Sequence, residues 1–113
     1  MSKPRLYIAG PMTGLADWNY PAFNAAAERL EKIYRVTNPA ALHKGEPGSK
    51  PYSEYLAADI RALTRCTHIA LLDGWRDSVG ASCEAHIARV MGMERVCAYS
   101  CKALPWWLQD KAA

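Results

Sequence analysis

Four short apolar runs alternate with three segments of helical periodicity, and this alternation constrains the chain more than any other feature. Arg5–Ala9 reads as a buried strand, residues 34–37 as a short second one, and residues 95–99 as a fourth. Residues 67–72 form the third, apolar enough to be buried on both sides. Between the first two, Phe23, Ala26, Ala27, Leu30 and Ile33 mark one helix face, with Pro21 suited to its first turn. Leu56, Ile60 and Leu63 mark a second helix with Ser53 as its N-cap. Residues 80–91 form a third, closed by Gly92 just past its end. Residues 40–50 carry Gly45, Pro47, Gly48 and Ser49 and read as a loop. This β-α-β-α-β-α-β order predicts an α/β fold: a single Rossmann-like or flavodoxin-like domain, with a parallel sheet of four to five strands and helices on both faces.

The chain has 113 residues, length for one domain. We assign residues 1–99 to it and residues 100–113 to an aromatic tail that packs on the domain or on a neighbouring subunit, with Trp106 and Trp107 as the clamp. Half of the residues are hydrophobic, but a core this small gains from association, so a homo-oligomer, dimer or tetramer, is expected. The net charge of +3 is spread along the chain without a Lys/Arg block, which argues against a DNA or RNA polymer as partner. No apolar stretch approaches the roughly 20 residues of a membrane span, and the first residues do not read as a signal peptide. A membrane partner is therefore not expected, and the expected location is the cytoplasm. Cys66, Cys83, Cys97 and Cys101 have no metal-type spacing with His68 or His86, so they read as buried reduced thiols. Neither a metal nor a cofactor is expected.

In parallel α/β sheets ligands bind beyond the carboxyl ends of the strands. Two loops occupy that rim: residues 10–19, containing Gly10, Pro11, Met12, Thr13, Gly14 and Trp18, and residues 73–80, containing Trp75, Ser78 and Gly80. Gly10 and Gly14 allow close backbone approach and Thr13 offers a hydroxyl, although an ordinary strand-to-helix turn explains them as well. Trp18 and Trp75 could stack on a base or simply pack. Gly80 and Ala81 open the third helix, where free N–H groups can receive a phosphate or ribose oxygen.

Glu84 is the most informative single residue, because it falls on the stripe Ala81, Ile87, Ala88 and Met91 of that helix. A carboxylate on an inward face is costly unless something pairs with it or uses it. Arg5, Arg65 and Arg89 are candidate structural partners. As a functional group it is a nucleophile, an acceptor for sugar hydroxyls or, with a raised pKa, a general acid. Asp59 is the best candidate for a second carboxylate, ahead of Asp73 and Asp77. Tyr7 is expected to reach the rim with its hydroxyl. His43, His68 and His86 form no recognisable triad and read as structural or exposed.

The run from Tyr7 to Gly14, Asn38-Pro39-Ala40, Leu72-Asp73-Gly74-Trp75, and Ser78-Val79-Gly80-Ala81 with Glu84 resemble a small phage- and prophage-associated family of the nucleoside 2-deoxyribosyltransferase superfamily. The likeness runs from about Leu6 to about Val96. It implies that Glu84 matches the glutamate that attacks the anomeric carbon of a nucleoside, that Asp59 matches an acidic position and that Tyr7 matches a first-strand tyrosine. Two departures stand out: Ser78 occupies the position of an aspartate, and Thr67 replaces another. Protonating a departing base is worth about 10²–10⁴ in rate, so the loss of a carboxylate favours holding a nucleotide over cutting it. The resemblance extends to Thoeris anti-defence proteins of the second type, which sequester cyclic ADP-ribose-type signals. The expected function is thus a phage-type sponge for a cyclic ADP-ribose derivative or related cyclic nucleotide, bound without turnover. The alternative is a nucleoside 2-deoxyribosyltransferase or N-ribohydrolase with Glu84 as nucleophile.

Overall fold

The computed structural model describes residues 3–43 and 49–108. Four strands, β1 (Arg5–Ala9), β2 (Arg35–Thr37), β3 (His68–Leu71) and β4 (Glu94–Cys97), form one all-parallel sheet in the order β2-β1-β3-β4. The helices are α1 (Tyr20–Leu30), α2 (Pro39–Leu42), α3 (Tyr52–Leu63) and α4 (Val79–Val90). The protein is a single Rossmann-like or flavodoxin-like α/β domain, with the strand count at the lower end of the expected range.

Period-two alternation along β1 divides the core into two layers. Leu6 and Ile8 point to the face where α1 buries Phe23, Ala26, Ala27 and Leu30. Tyr7 and Ala9 point to the opposite face, with Leu63 of α3 and Ala81, Ala85 and Ala88 of α4. Chain order reverses at β1 and β3, because β2 adds on one side of β1 while β3 and β4 add on the other. The crevice of a doubly wound sheet opens at such a switch point. The expected third strand is recovered almost whole: Thr67 and Leu72 extend the ladder to Arg5 and Ala9 by backbone bonds of 3.0 and 2.9 Å.

Several sequence expectations need correction. Ser53 is not the N-cap of α3; the helix begins at Tyr52 behind Pro51, whose carbonyl takes the Glu54 N–H at 3.0 Å. Ile33 lies beyond the end of α1 and is 49% exposed, because the N–H groups of Ile33 and Tyr34 both bond the Leu30 carbonyl in a tight turn. Met91 is 50% exposed just past α4, and Met93 is the buried one. The expected loop at 40–50 starts with a helical turn, α2, capped by the Asn38 side chain on the Ala40 N–H at 3.0 Å. Gly45, Pro47 and Gly48 lie outside the described residues. The fourth strand begins at Glu94 and ends at Cys97, two residues short of expectation.

Beyond β4, Leu104 bonds the Arg95 carbonyl and the Trp106 indole donates to the Met93 carbonyl at 3.0 Å. Trp107 is exposed.

Gly10 ends β1 against the partner strand, where a Cβ would stand 2.8 Å from the Cβ of buried Leu72. Gly10→Ala must therefore push two neighbouring strand ends apart. We expect a loss of about 1–3 kcal/mol of stability, the usual cost of overpacking a core, measured by urea unfolding at constant m-value.

Candidate functional site

Beyond the carboxyl ends of β1 and β3 lies a cavity of about 90 Å³. Its floor is Tyr7 and Glu84. The Tyr7 hydroxyl donates to Glu84 Oε2 at 2.5 Å, joining the middle of β1 to the second turn of α4. Glu84 is 5% exposed and meets none of the arginines considered from the sequence. Beside this pair, His43 Nε2 and Asp59 Oδ1 are 2.6 Å apart, and the His43 ring stands edge-on to Tyr55 with centroids 4.9 Å apart. Trp18, Tyr20, Phe23 and Tyr52 complete aromatic walls.

Of the residues named from the sequence, Tyr7, Gly10, Met12, Thr13, Trp18, Asp59, Ser78, Gly80, Ala81 and Glu84 line the cavity. Pro11 and Gly14 do not. Pro11 instead ties the two rim loops: its carbonyl accepts from the Asn19 amide at 2.9 Å and its ring packs near Gly74. Trp75 is the clearest misplacement. Gly74, at φ +85°, turns the chain so that Trp75 goes under α4 into the core, 9% exposed, with the Arg76 guanidinium 4.4 Å from its ring centroid. The Ala81 N–H is not free either, because Ser78 Oγ accepts it at 3.2 Å as the cap of α4. Asp73 lies off the cavity, accepting from the Tyr99 hydroxyl at 2.8 Å, and Asp77 is exposed in the turn before α4.

The first rim loop carries backbone strain. Asp17, Trp18 and Asn19 have φ of +50°, +55° and +60°, a left-handed run that costs non-glycine residues about 1–2 kcal/mol each. The Asn19–Pro11 bond and the Trp18 N–H to Leu15 carbonyl bond, 3.1 Å, hold it there. The outcome is a tryptophan fixed at the cavity wall; strain of this sort concentrates at functional sites.

The sequence reading missed His43, and a signal for it was present. It follows α2 directly, so it lies beyond the carboxyl end of β2 on the same rim. It also passed over a stripe of α3: Tyr52, Tyr55, Leu56 and Asp59 follow i, i+3, i+4, i+7 spacing and all face the cavity.

A family model matches residues 4–97, described as a domain of unknown function (DUF4406). The chain belongs to the DUF4406 family. The matched span contains all four strands and every cavity residue named above, and it ends at the last residue of β4. No curated protein matches the chain. Among the described residues, no helix is long and apolar enough to cross a membrane.

Electrostatically, the cavity of this DUF4406 protein is a desolvated acidic site. Burial raises the Glu84 carboxyl to about 8; the Tyr7 hydrogen bond opposes the shift and the charge of Asp59 adds to it. Asp59 is also raised by burial, with His43 working the other way. Tyr7 is held well above its ordinary value by burial and by Glu84, so it remains the donor of the pair.

The direction of the pH effect follows. Between about 4.5, the ordinary value, and about 8 the folded protein holds a proton on Glu84 that the unfolded chain has released. Stability from this group is complete below that window, falls as pH rises through it and is gone above it. Glu84→Gln removes the titration while keeping the shape. It should unfold like the parent near pH 4.5 and be more stable by roughly 1–3 kcal/mol at pH 9, read from thermal melts at both pH values.

Proposed function

We propose that this protein binds a nucleoside or nucleotide in the Tyr7–Glu84 cavity and cleaves or transfers its N-glycosidic bond, with Glu84 as nucleophile. The observation that carries the reading is a buried carboxyl on the cavity floor, bonded by a neutral phenol rather than a cation, beside the hydrogen-bonded pair His43–Asp59. Retaining an ionisable group in so desolvated a place is costly for a binding protein, which could use an amide. It is the usual arrangement of a reacting group.

In the reaction the ionised Glu84 attacks the anomeric carbon. The bond to the base nitrogen breaks, its electron pair leaves with the base, and His43–Asp59 supplies a proton to it. Imidazole is the side chain suited to proton exchange near neutral pH. Water or a second base then displaces Glu84 from the sugar carbon. Trp18, Tyr52 and Tyr55 give the base flat apolar surfaces. The resemblance to nucleoside 2-deoxyribosyltransferases supports the same chemistry. The proton donor that Ser78 lacks is available from the second pair.

Sequestration is the second reading: a phage-type sponge for a cyclic ADP-ribose derivative or related cyclic nucleotide. Glu84 raised to about 8 favours it, because the resting group is then mostly neutral and suited to sugar hydroxyls. Gly10, Thr13 and the Gly80 helix start would take phosphates that reach out over the rim. In either reading, exposed Leu15, Trp18, Tyr52 and Val79 at the mouth support a homo-oligomer, dimer or tetramer, acting in the cytoplasm.

One assay separates the readings. The protein is incubated with nucleosides, nucleotides and cyclic ADP-ribose derivatives, then heat-denatured, and the released material is chromatographed. Free base, formed at a rate that rises with pH and levels off above about 8, supports cleavage. Glu84→Gln should abolish it and His43→Gln should lower it by roughly 10²–10⁴. Stoichiometric return of an intact ligand would overturn cleavage in favour of the sponge.

A further inference from the structure

On the α3 side of the sheet edge is a second, open cleft of about 310 Å³, lined by Arg5, Arg35, Thr37, Leu42, Ala62, Arg65 and Cys66. Three of its seven lining residues are arginines. Arg5 and Arg35 are direct register partners on β1 and β2, so they lie side by side at the start of the sheet. Arg65 closes the group from the turn after α3. Among the described residues no carboxylate pairs with any of the three. Like charges held in adjacent strand positions repel one another, and neither a salt bridge nor a ring face offsets this.

The cleft also has a polar floor. Thr37 and Cys66 lie side by side there, with the Cys66 sulfur 3.8 Å from Thr37 Oγ1 and 3.6 Å from the Ala62 carbonyl oxygen, the nearer acceptor for its single proton. Thr37 is the register partner of Tyr7, two residues along from the Arg5–Arg35 pair. Guanidinium groups converging with a hydroxyl suit an oxyanion. Planar guanidinium forks engage phosphate oxygens bidentately, and three of them match more than one phosphoryl group.

We propose that the Arg5–Arg35–Arg65 cleft is a second binding site, separate from the Glu84 cavity, for an oligophosphate anion: a di- or triphosphate, free or as the phosphate tail of a small molecule. The site does not depend on what the Glu84 cavity does. Its occupant neutralises three cations for which the described residues supply no counter-charge, and binding should therefore stabilise the domain.

The test is titration calorimetry and thermal melting of the full chain with inorganic tripolyphosphate and, separately, adenosine triphosphate, at low salt and with sulfate at matched ionic strength as control. Saturable one-to-one binding of both, with a rise in melting temperature that sulfate does not reproduce, is the expected result. Arg35→Gln/Arg65→Gln should weaken it at least tenfold, whereas Glu84→Gln should leave it unchanged. The single variants Arg35→Gln and Arg65→Gln, each at an exposed position, provide the same readout if the double variant melts before the titration can be run. Unaltered affinity in the arginine variants, loss of binding in Glu84→Gln, binding of adenosine triphosphate alone, or equal binding of sulfate would each overturn the proposal.

Discussion

The hydrogen bond between Tyr7 and Glu84 is the constraint on which the site depends. It connects β1 to α4 at the switch point of the sheet, in a desolvated place where no cation among the described residues pairs with the carboxyl. Tyr7 is fully buried and Glu84 nearly so. Each needs the other, because a buried carboxyl without a donor would cost about 1–3 kcal/mol or more. The bond also fixes which oxygen of Glu84 remains for a ligand: Oε2 is taken, so Oε1 is the atom left to meet the cavity.

Much of the fold was legible because two periodicities rarely mislead when they alternate. The buried strands β1 and β3 and the apolar faces of α1 and α4 follow from spacing alone. The errors fell where a short-range backbone event overrides spacing. The turn after Leu30 reverses Ile33 to the surface, and Gly74 in the left-handed region sends Trp75 inward instead of to the rim. Of the site residues named from the sequence, those on β1, α3 and α4 line the cavity, whereas Pro11, Gly14 and Trp75 of the rim loops do not. His43 was missed because its partner, Asp59, is 16 residues away on another helix, and no single-chain spacing encodes that pairing. On α3, Leu56 and Asp59 were legible, but Tyr52 and Tyr55 on the same stripe were passed over. Only the fold shows that this stripe faces a cavity.

The sheet's parallel topology explains why two differently charged openings coexist in so small a domain. All strands point one way, and the cavity beyond their carboxyl ends gathers Glu84 of α4, Asp59 of α3 and His43 just after α2. Their starts collect Arg5, Arg35 and, just ahead of β3, Arg65. A guanidinium near Glu84 would pair with it and hold it ionised, removing the raised carboxyl on which the sequestration reading relies.

Ser78 can be weighed in the same terms. Its hydroxyl caps α4 by accepting the Ala81 N–H, a job that aspartate performs equally well. An aspartate there would add a third carboxylate to a cavity that already holds Glu84 and Asp59. Like charges at close range raise one another's pKa, and Asp59 already pushes Glu84 upward. Serine keeps the cap and omits the repulsion, so Glu84 ionises more readily than it would beside an aspartate. The substitution that weakens the case for a proton donor at residue 78 therefore strengthens the case for a nucleophile at residue 84. On the proposed cleavage reading the proton comes from another group, and His43–Asp59 is the cavity pair to which that reading assigns it.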